Sequence, residues 1–194
     1  MYSETETLTS IFKPLSFTPK EGKLLTQSFE ELKLSKNSLL LESGQHVYNQ
    51  YYVADGCLRT YFIDPDGKEH TVQFAVADWW ISDYTAFFNN GTALLHIECI
   101  QEATLFKISK KEMEVLYQAM PQLESFFRKK MERAFASFQK RIIANLSQSA
   151  TERYLSFIHS YPNIEQNVKN YHIASYLGIT TQSLSRIRKE LVQR

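Results

Sequence analysis

The sequence predicts an α+β chain in which an antiparallel β domain of many short strands leads into a long helix and then a helix-turn-helix. Three observations carry this: turn signals about 11 to 13 residues apart in the first half, helical spacing from Ser109 onward, and a glycine-centred apolar pattern in the last quarter.

The turns are Glu42-Ser43-Gly44-Gln45, Ala54-Asp55-Gly56, Asp64-Pro65-Asp66-Gly67, Ala77-Asp78 and Asn89-Asn90-Gly91. Between them lie β-branched and aromatic runs such as Tyr51-Tyr52-Val53, Leu58-Arg59-Thr60-Tyr61-Phe62-Ile63 and Thr71-Val72-Gln73-Phe74-Ala75-Val76, as in an antiparallel sandwich or barrel. Residues 64–67 read as the clearest hairpin, with Pro65 presetting φ of a type I turn and Gly67 relieving crowding at its fourth position.

Farther on, Leu123, Phe127, Met131, Ala134, Phe138, Ile142 and Leu146 follow at steps of four or three, forming one stripe of a long helix. Pro121 divides the pattern into a short helix over about 110–118 and a long one over about 121–146, and a further helix runs from about Thr151 to Ser160 before Pro162. So aromatic a stripe either packs on the chain's own β domain or pairs with the same helix of a second chain.

In residues 170–189, Ala174 is small where crossing helices approach, and Gly178 can take the positive φ of a tight turn. Ile173, Leu177, Ile179, Leu184 and Ile187 supply a shared core, which completes a helix-turn-helix pattern. Thr180 suits the N-cap of the second helix. Opposite its buried stripe of Leu184, Ile187 and Leu191 stand Gln182, Ser185, Arg186 and Lys189, flanked by Thr181 and Arg188 and free of carboxylates. Such a face suits a DNA major groove, because Arg can bond guanine bidentately and Gln adenine.

Charge agrees with this division. Residues 1–106 carry 7 Lys/Arg against 14 Asp/Glu, residues 107–166 carry 10 against 6, and residues 167–194 carry 5 against 1. A basic rear half is what a phosphate-facing module requires. The N-terminal ten residues are acidic and polar and no run of about 18 apolar residues occurs, so a cytoplasmic protein without membrane contact is expected. Cys57 and Cys99 stand far apart and read as buried small hydrophobes rather than a disulfide or zinc site. His46, His70 and His96 are isolated, and Asp83 and Glu98 lack an accompanying nucleophile, so neither metal, cofactor nor catalysis is expected.

The segment Leu184-Ser185-Arg186-Ile187-Arg188 within its helix-turn-helix resembles the Crp/Fnr family of bacterial regulators. Tyr51-Tyr52-Val53-Ala54-Asp55-Gly56 and Asp66-Gly67-Lys68-Glu69 resemble that family's cyclic-nucleotide-binding β-roll, and the resemblance covers about residues 20–194. It implies an eight-stranded antiparallel β-roll (a double-stranded β-helix) within residues 1–120, a dimerisation helix over 121–146 and a winged-helix-like DNA-binding domain over 147–194. Because the sequence ends soon after the recognition helix, no wing is expected after it. The implied partners are double-stranded DNA bearing a near-palindromic site and a second copy of the chain, with RNA polymerase a candidate. Thr181, Gln182, Ser185 and Arg186 are expected on bases, Arg188 and Lys189 on phosphates, and Phe127, Met131, Ala134 and Phe138 in the dimer interface.

One departure from the family matters. Its cyclic-nucleotide binders hold the ribose with a Gly-Glu pair and the phosphate with an Arg one strand later. Here Ser82 and Asp83 occupy the pair, followed by Tyr84, and residues 91–98 contain no Arg. A buried phosphate needs that countercharge. An effector other than cAMP is therefore expected at Ser82, Asp83 and Tyr84, an apolar or aromatic one given Trp79 and Trp80, unless side chains fill the space. Cys57 and Cys99 cannot supply the cysteine set of the family's iron-sulfur branch. The rival reading is a ligand-binding or protein-interaction module whose helix-turn-helix does not bind DNA.

Overall fold

The computed structural model describes residues 4–162 and 164–193, so Asn163 and Arg194 of the expected C-terminal domain lie outside the described residues. Helices α1 (Glu4–Ile11) and α2 (Pro19–Ser28) open the chain. At the start of α2 the Thr18 hydroxyl accepts the Glu21 N–H and the Glu21 carboxylate accepts the Thr18 N–H. This reciprocal cap, with Pro19 at the first helical position, satisfies backbone donors that a helix start otherwise leaves unpaired.

The sheet comprises β1 (Glu30–Leu34), β2 (Leu39–Leu41), β3 (Asn49–Ile63), β4 (Glu69–Val76), β5 (Trp80–Ile81) and β6 (His96–Ser109), with the short helix α3 (Tyr84–Asn89) between β5 and β6. All pairings are antiparallel in the order β1-β6-β3-β4, with β2 also on β6 and β5 on β3. Among the described residues these are six strands rather than the eight implied, because β3 and β6 run on where separate short strands were expected. Ala54-Asp55-Gly56 is thus not a turn. It is a stretch of bulges within β3, where the register against β6 shifts between Val53 and Leu58. Gly56, at φ +95°, is required there, since a Cβ would stand 2.4 Å from the Glu102 carbonyl oxygen. The expected turn at residues 64–67 does join β3 to β4, closed by the Gly67 N–H on the Asp64 carbonyl at 2.9 Å.

Helices α4 (Lys110–Ala119) and α5 (Pro121–Ser147) follow, then α6 (Ala150–Ser160), α7 (Ile164–Asn167), α8 (Asn170–Leu177) and α9 (Thr181–Val192). Ser109 and Ser149 cap α4 and α6 in the reciprocal manner of Thr18, with Glu112 and Glu152 as partners. None of the helices among the described residues is long and apolar enough to cross a membrane.

Two cores meet across the sheet. The first joins the roll interior to α1, α2, α4 and the first turns of α5, and it contains Cys99. Phe127 belongs to this core and is 5% exposed, its ring 4.8 Å from that of Trp80 and 5.9 Å from that of Phe12. The expectation that Phe127 lies in an intersubunit seam is therefore corrected: its burial, roughly 1.5–3 kcal/mol, is within its own chain. Trp80 is likewise core, packed among Phe12, Phe29, Tyr52 and Phe127.

The second core places Cys57, Phe74 and Ile100 of the sheet against Tyr154, Phe157, Tyr161, Ile173, Leu184 and Ile187 of the C-terminal helices. Both cysteines are free and buried, and burial pushes the Cys57 thiol up to about 12. Polar bonds seal the same contact. The Ser175 hydroxyl accepts the Thr71 N–H of β4 at 2.9 Å and donates to the Glu69 carbonyl at 3.0 Å. The Tyr161 hydroxyl donates to the Phe74 carbonyl at 3.4 Å.

Candidate nucleic-acid interface

The last two helices are set by a few residues. Gly178 ends α8 at φ 66°, a left-handed conformation that glycine adopts without a steric penalty, and the Ile179 N–H returns to the Ala174 carbonyl at 3.0 Å. Ala174, 2% exposed, lets the helices approach. The Thr180 hydroxyl then accepts the Ser183 N–H at 3.1 Å and starts α9. Leu184 and Ile187 are buried beneath α9, which leaves Gln182, Ser185, Arg186 and Lys189 exposed and Thr181 half-buried at its first turn. Arg186 is 74% exposed in its side chain.

Two details of this face differ from the expectation. Glu190 stands one turn beyond Arg186 with its carboxylate 3.9 Å from Nε, so the face is not free of carboxylates. Arg188 is turned inward. Its Nη2 donates to Glu165 at 3.0 Å, its Nη1 to Asn170 Oδ1 at 2.6 Å and its Nε to the Tyr154 hydroxyl at 3.1 Å. Assignment of Arg188 to a phosphate is therefore corrected. Position 188 lies one turn past Leu184 and shares the inner side of α9, where its guanidinium ties the helix to α6, α7 and α8. Glu165, Tyr154 and Asn170 were not legible as its partners, since they are 18 to 34 positions away.

Of the expected effector position, Ser82 and Asp83 are engaged by the protein itself, whereas Tyr84, Trp79 and Trp80 line an open cavity. Asp83 is fully buried and caps α3. Its Oδ1 accepts the Thr85 N–H at 3.1 Å, the Thr85 hydroxyl at 2.5 Å and the Ala86 N–H at 3.3 Å, and its Oδ2 accepts the N–H groups of Leu94 and Leu95 at 2.8 and 3.1 Å. Burial by itself would raise its pKa. The Thr85 hydroxyl and the amides of Leu94, Ala86 and Leu95 outweigh burial and hold the carboxyl below its ordinary value. Ser82 donates to the Asn49 carbonyl at 2.9 Å, and the Tyr84 hydroxyl reaches Gln50 Oε1 at 3.3 Å. Five donors are thus already spent on a resident carboxylate, and an incoming ribose or phosphate would have to displace it. Arg59, a buried cation of β3, is 2% exposed and bonded to Glu69 and Glu98, each at 2.7 Å.

The geometry defines a class: a β-roll joined through a long helix to a helix-turn-helix is a two-module regulator. Comparisons narrow it. Residues 31–120 match the family model of the cyclic nucleotide-binding domain. The chain is 22% identical over 189 residues to the anaerobic regulatory protein of Haemophilus influenzae, a match spanning 90% of this chain and 72% of that protein. Its fold is that of FixK2 from Bradyrhizobium japonicum, with a TM-score of 0.73 at 15% identity over 85% of each chain. It is also that of CLP from Xanthomonas campestris, a global regulator described as c-di-GMP responsive, with a TM-score of 0.72 at 12% identity over 91% of this chain and 92% of that one. These likenesses support a transcription regulator of the Crp/Fnr type.

Proposed function

We propose that the protein acts in the cytoplasm as a homodimer that reads a near-palindromic DNA operator, one α9 entering the major groove at each half-site. The observation that carries this reading is the division of labour on α9. Arg186 projects into solvent beside Gln182 and Ser185 at the exposed front of the helix, with the exposed Glu190 at 3.9 Å, while Arg188 anchors the helix behind it. Arg186 is the principal base reader, with Thr181, Gln182 and Ser185 beside it, and Lys189 contacts a phosphate. RNA polymerase is the proposed partner of the DNA-bound dimer, and the effector is a molecule other than cAMP.

The dimer reading rests on α5, which spans about 40 Å. Phe135, Ile142, Ile143 and Leu146 are 65%, 57%, 61% and 84% exposed, an apolar face that one chain leaves in water. Phe135, Ile142 and Leu146 are spaced seven and four apart, as at coiled-coil seam positions. The proposed seam is rotated from the expected one: Met131, Ala134 and Phe138 line a cavity, as Phe135 also does, but of the expected three only Phe138 is substantially exposed, at 38%.

Selection of bound duplexes from random DNA tests the reading. Enriched sequences are expected to contain two inverted half-sites about one helical turn apart. Failure to enrich any sequence at low or moderate salt would favour a protein-interaction module instead.

A further inference from the structure

A cavity of about 620 Å³ opens where the roll, α5 and the C-terminal helices meet. Trp79, Trp80 and Tyr84 face it from the roll, Met131 and Phe138 from α5, and Tyr161 and Tyr176 from the C-terminal helices. Its walls are therefore largely aromatic, and Trp79 and Tyr161 lie 5.4 Å apart between ring centroids. Its border is basic. Lys130, Arg133 and Arg141 line it against one carboxylate, Asp78, which already accepts the Tyr52 hydroxyl at 2.5 Å.

Arg141 is the informative cation. It is half-buried, with its guanidinium 5.3 Å from the Phe138 ring centroid and 5.0 Å from that of Tyr176, and it donates to the Val72 carbonyl. Among the described residues none of the three cations is paired with a carboxylate. A guanidinium offers five N–H donors, and one held partly away from water between rings is complemented by an anion. Ring-lined walls and a volume of this size suit a molecule of one or two rings.

We propose that this cavity binds a small aromatic anion, a flat carboxylate or sulfonate whose rings lie among Trp79, Phe138 and Tyr176 and whose acid group sits on Arg141. Such a ligand touches the roll, the connecting helix and the DNA-reading module together, so its binding can bias their arrangement. Only this last consequence rests on the regulator reading, because binding itself is measured without DNA.

The test uses 1-anilinonaphthalene-8-sulfonate and its uncharged analogue N-phenyl-1-naphthylamine on the full chain. Trp79 and Trp80 are the chain's two tryptophans and both line the cavity, so tryptophan excitation reports its filling. Saturable binding of one sulfonate per chain is expected, with quenched tryptophan emission and sensitised probe emission. Arg141→Gln should weaken the sulfonate about tenfold and leave the neutral probe within about twofold. Ala134→Phe, which fills the cavity without removing charge, should weaken both. Equal losses of both probes in Arg141→Gln, or binding without tryptophan quenching, would overturn the proposal. So would an Ala134→Phe variant that splits the dimer yet binds probe normally, since the space would then be a seat for the second protomer. DNA binding by the probe-free samples is read separately. Its absence beside intact probe binding removes the regulator reading and leaves the site, whereas its presence without probe binding removes the site alone.

Discussion

Arg188→Ala is expected to unfold the C-terminal helices more readily while leaving the base-reading face of α9 chemically intact. The wild-type guanidinium is 27% exposed and its partner Glu165 34% exposed, so the pair is only partly screened. A charge-assisted hydrogen bond contributes roughly 1.5–3 kcal/mol when dry, and truncating one partner also strands the other. Discounted for exposure, with Tyr154 and Asn170 losing a partner too, the loss is about 2 kcal/mol, near thirtyfold in the folding equilibrium. Arg186→Ala is the internal control. Its nearest carboxylate is 3.9 Å away on an exposed surface, so its stability should stay within about 0.5 kcal/mol of wild type. Urea unfolding followed by far-ultraviolet circular dichroism measures both. An Arg188→Ala protein as stable as wild type that binds all DNA more weakly would refute the reasoning and return Arg188 to the phosphates.

On DNA, Arg186→Ala should lose about 1–3 kcal/mol of preference at one base pair of each half-site, whereas Lys189→Ala should weaken all sequences alike and shallow the salt dependence by about one unit per site. Titration of cognate and scrambled duplexes across a salt series separates the two. Ile142→Glu should convert the dimer to monomer in sedimentation at micromolar concentration, because a charge would replace a 57% exposed apolar group on the proposed seam. Calorimetry should show no saturable heat with cAMP. Because the folded-state pKa of Asp83 is lowered, its stabilising contribution is complete above the ordinary aspartate value of 3.8 and is lost as pH falls through the depressed folded value. Asp83→Asn should therefore be less stable at neutral pH and should flatten the acid limb of the stability profile.

The helix-turn-helix was legible because its signals are local: Ala174, Gly178, Thr180 and the apolar positions act within a few residues of one another. The same locality could have placed Arg188 correctly, since it follows Leu184 by one turn. Thr18-Pro19-Lys20-Glu21 likewise announces the start of α2 in sequence. Gly56 was visible as a residue needing positive φ, yet a turn and a bulge make that demand equally, and only the partner strand decides between them. The face of α5 was undecidable in the same way. Its apolar residues wrap more than one stripe, and which stripe is covered depends on where the roll and the C-terminal helices lie. Asp83 read as a variant of a ligand-holding residue because the donors around it, two of them 11 and 12 positions away, are assembled only by the fold.

The bonds from Ser175 to Thr71 and Glu69 have a consequence for solubility. Strand β4 ends the sheet order, so its outward amides and carbonyls form an open border of the kind along which sheets of separate molecules zip together. Helix α8 lies over that border, and Phe74 at its centre is 0% exposed. The helices that carry the DNA-reading face thus double as a guard against strand-to-strand aggregation. Any rearrangement that swings them away must leave β4 bare for as long as it lasts. Selection for a regulator that stays dispersed would therefore limit how far and how often this module detaches, whatever DNA it reads.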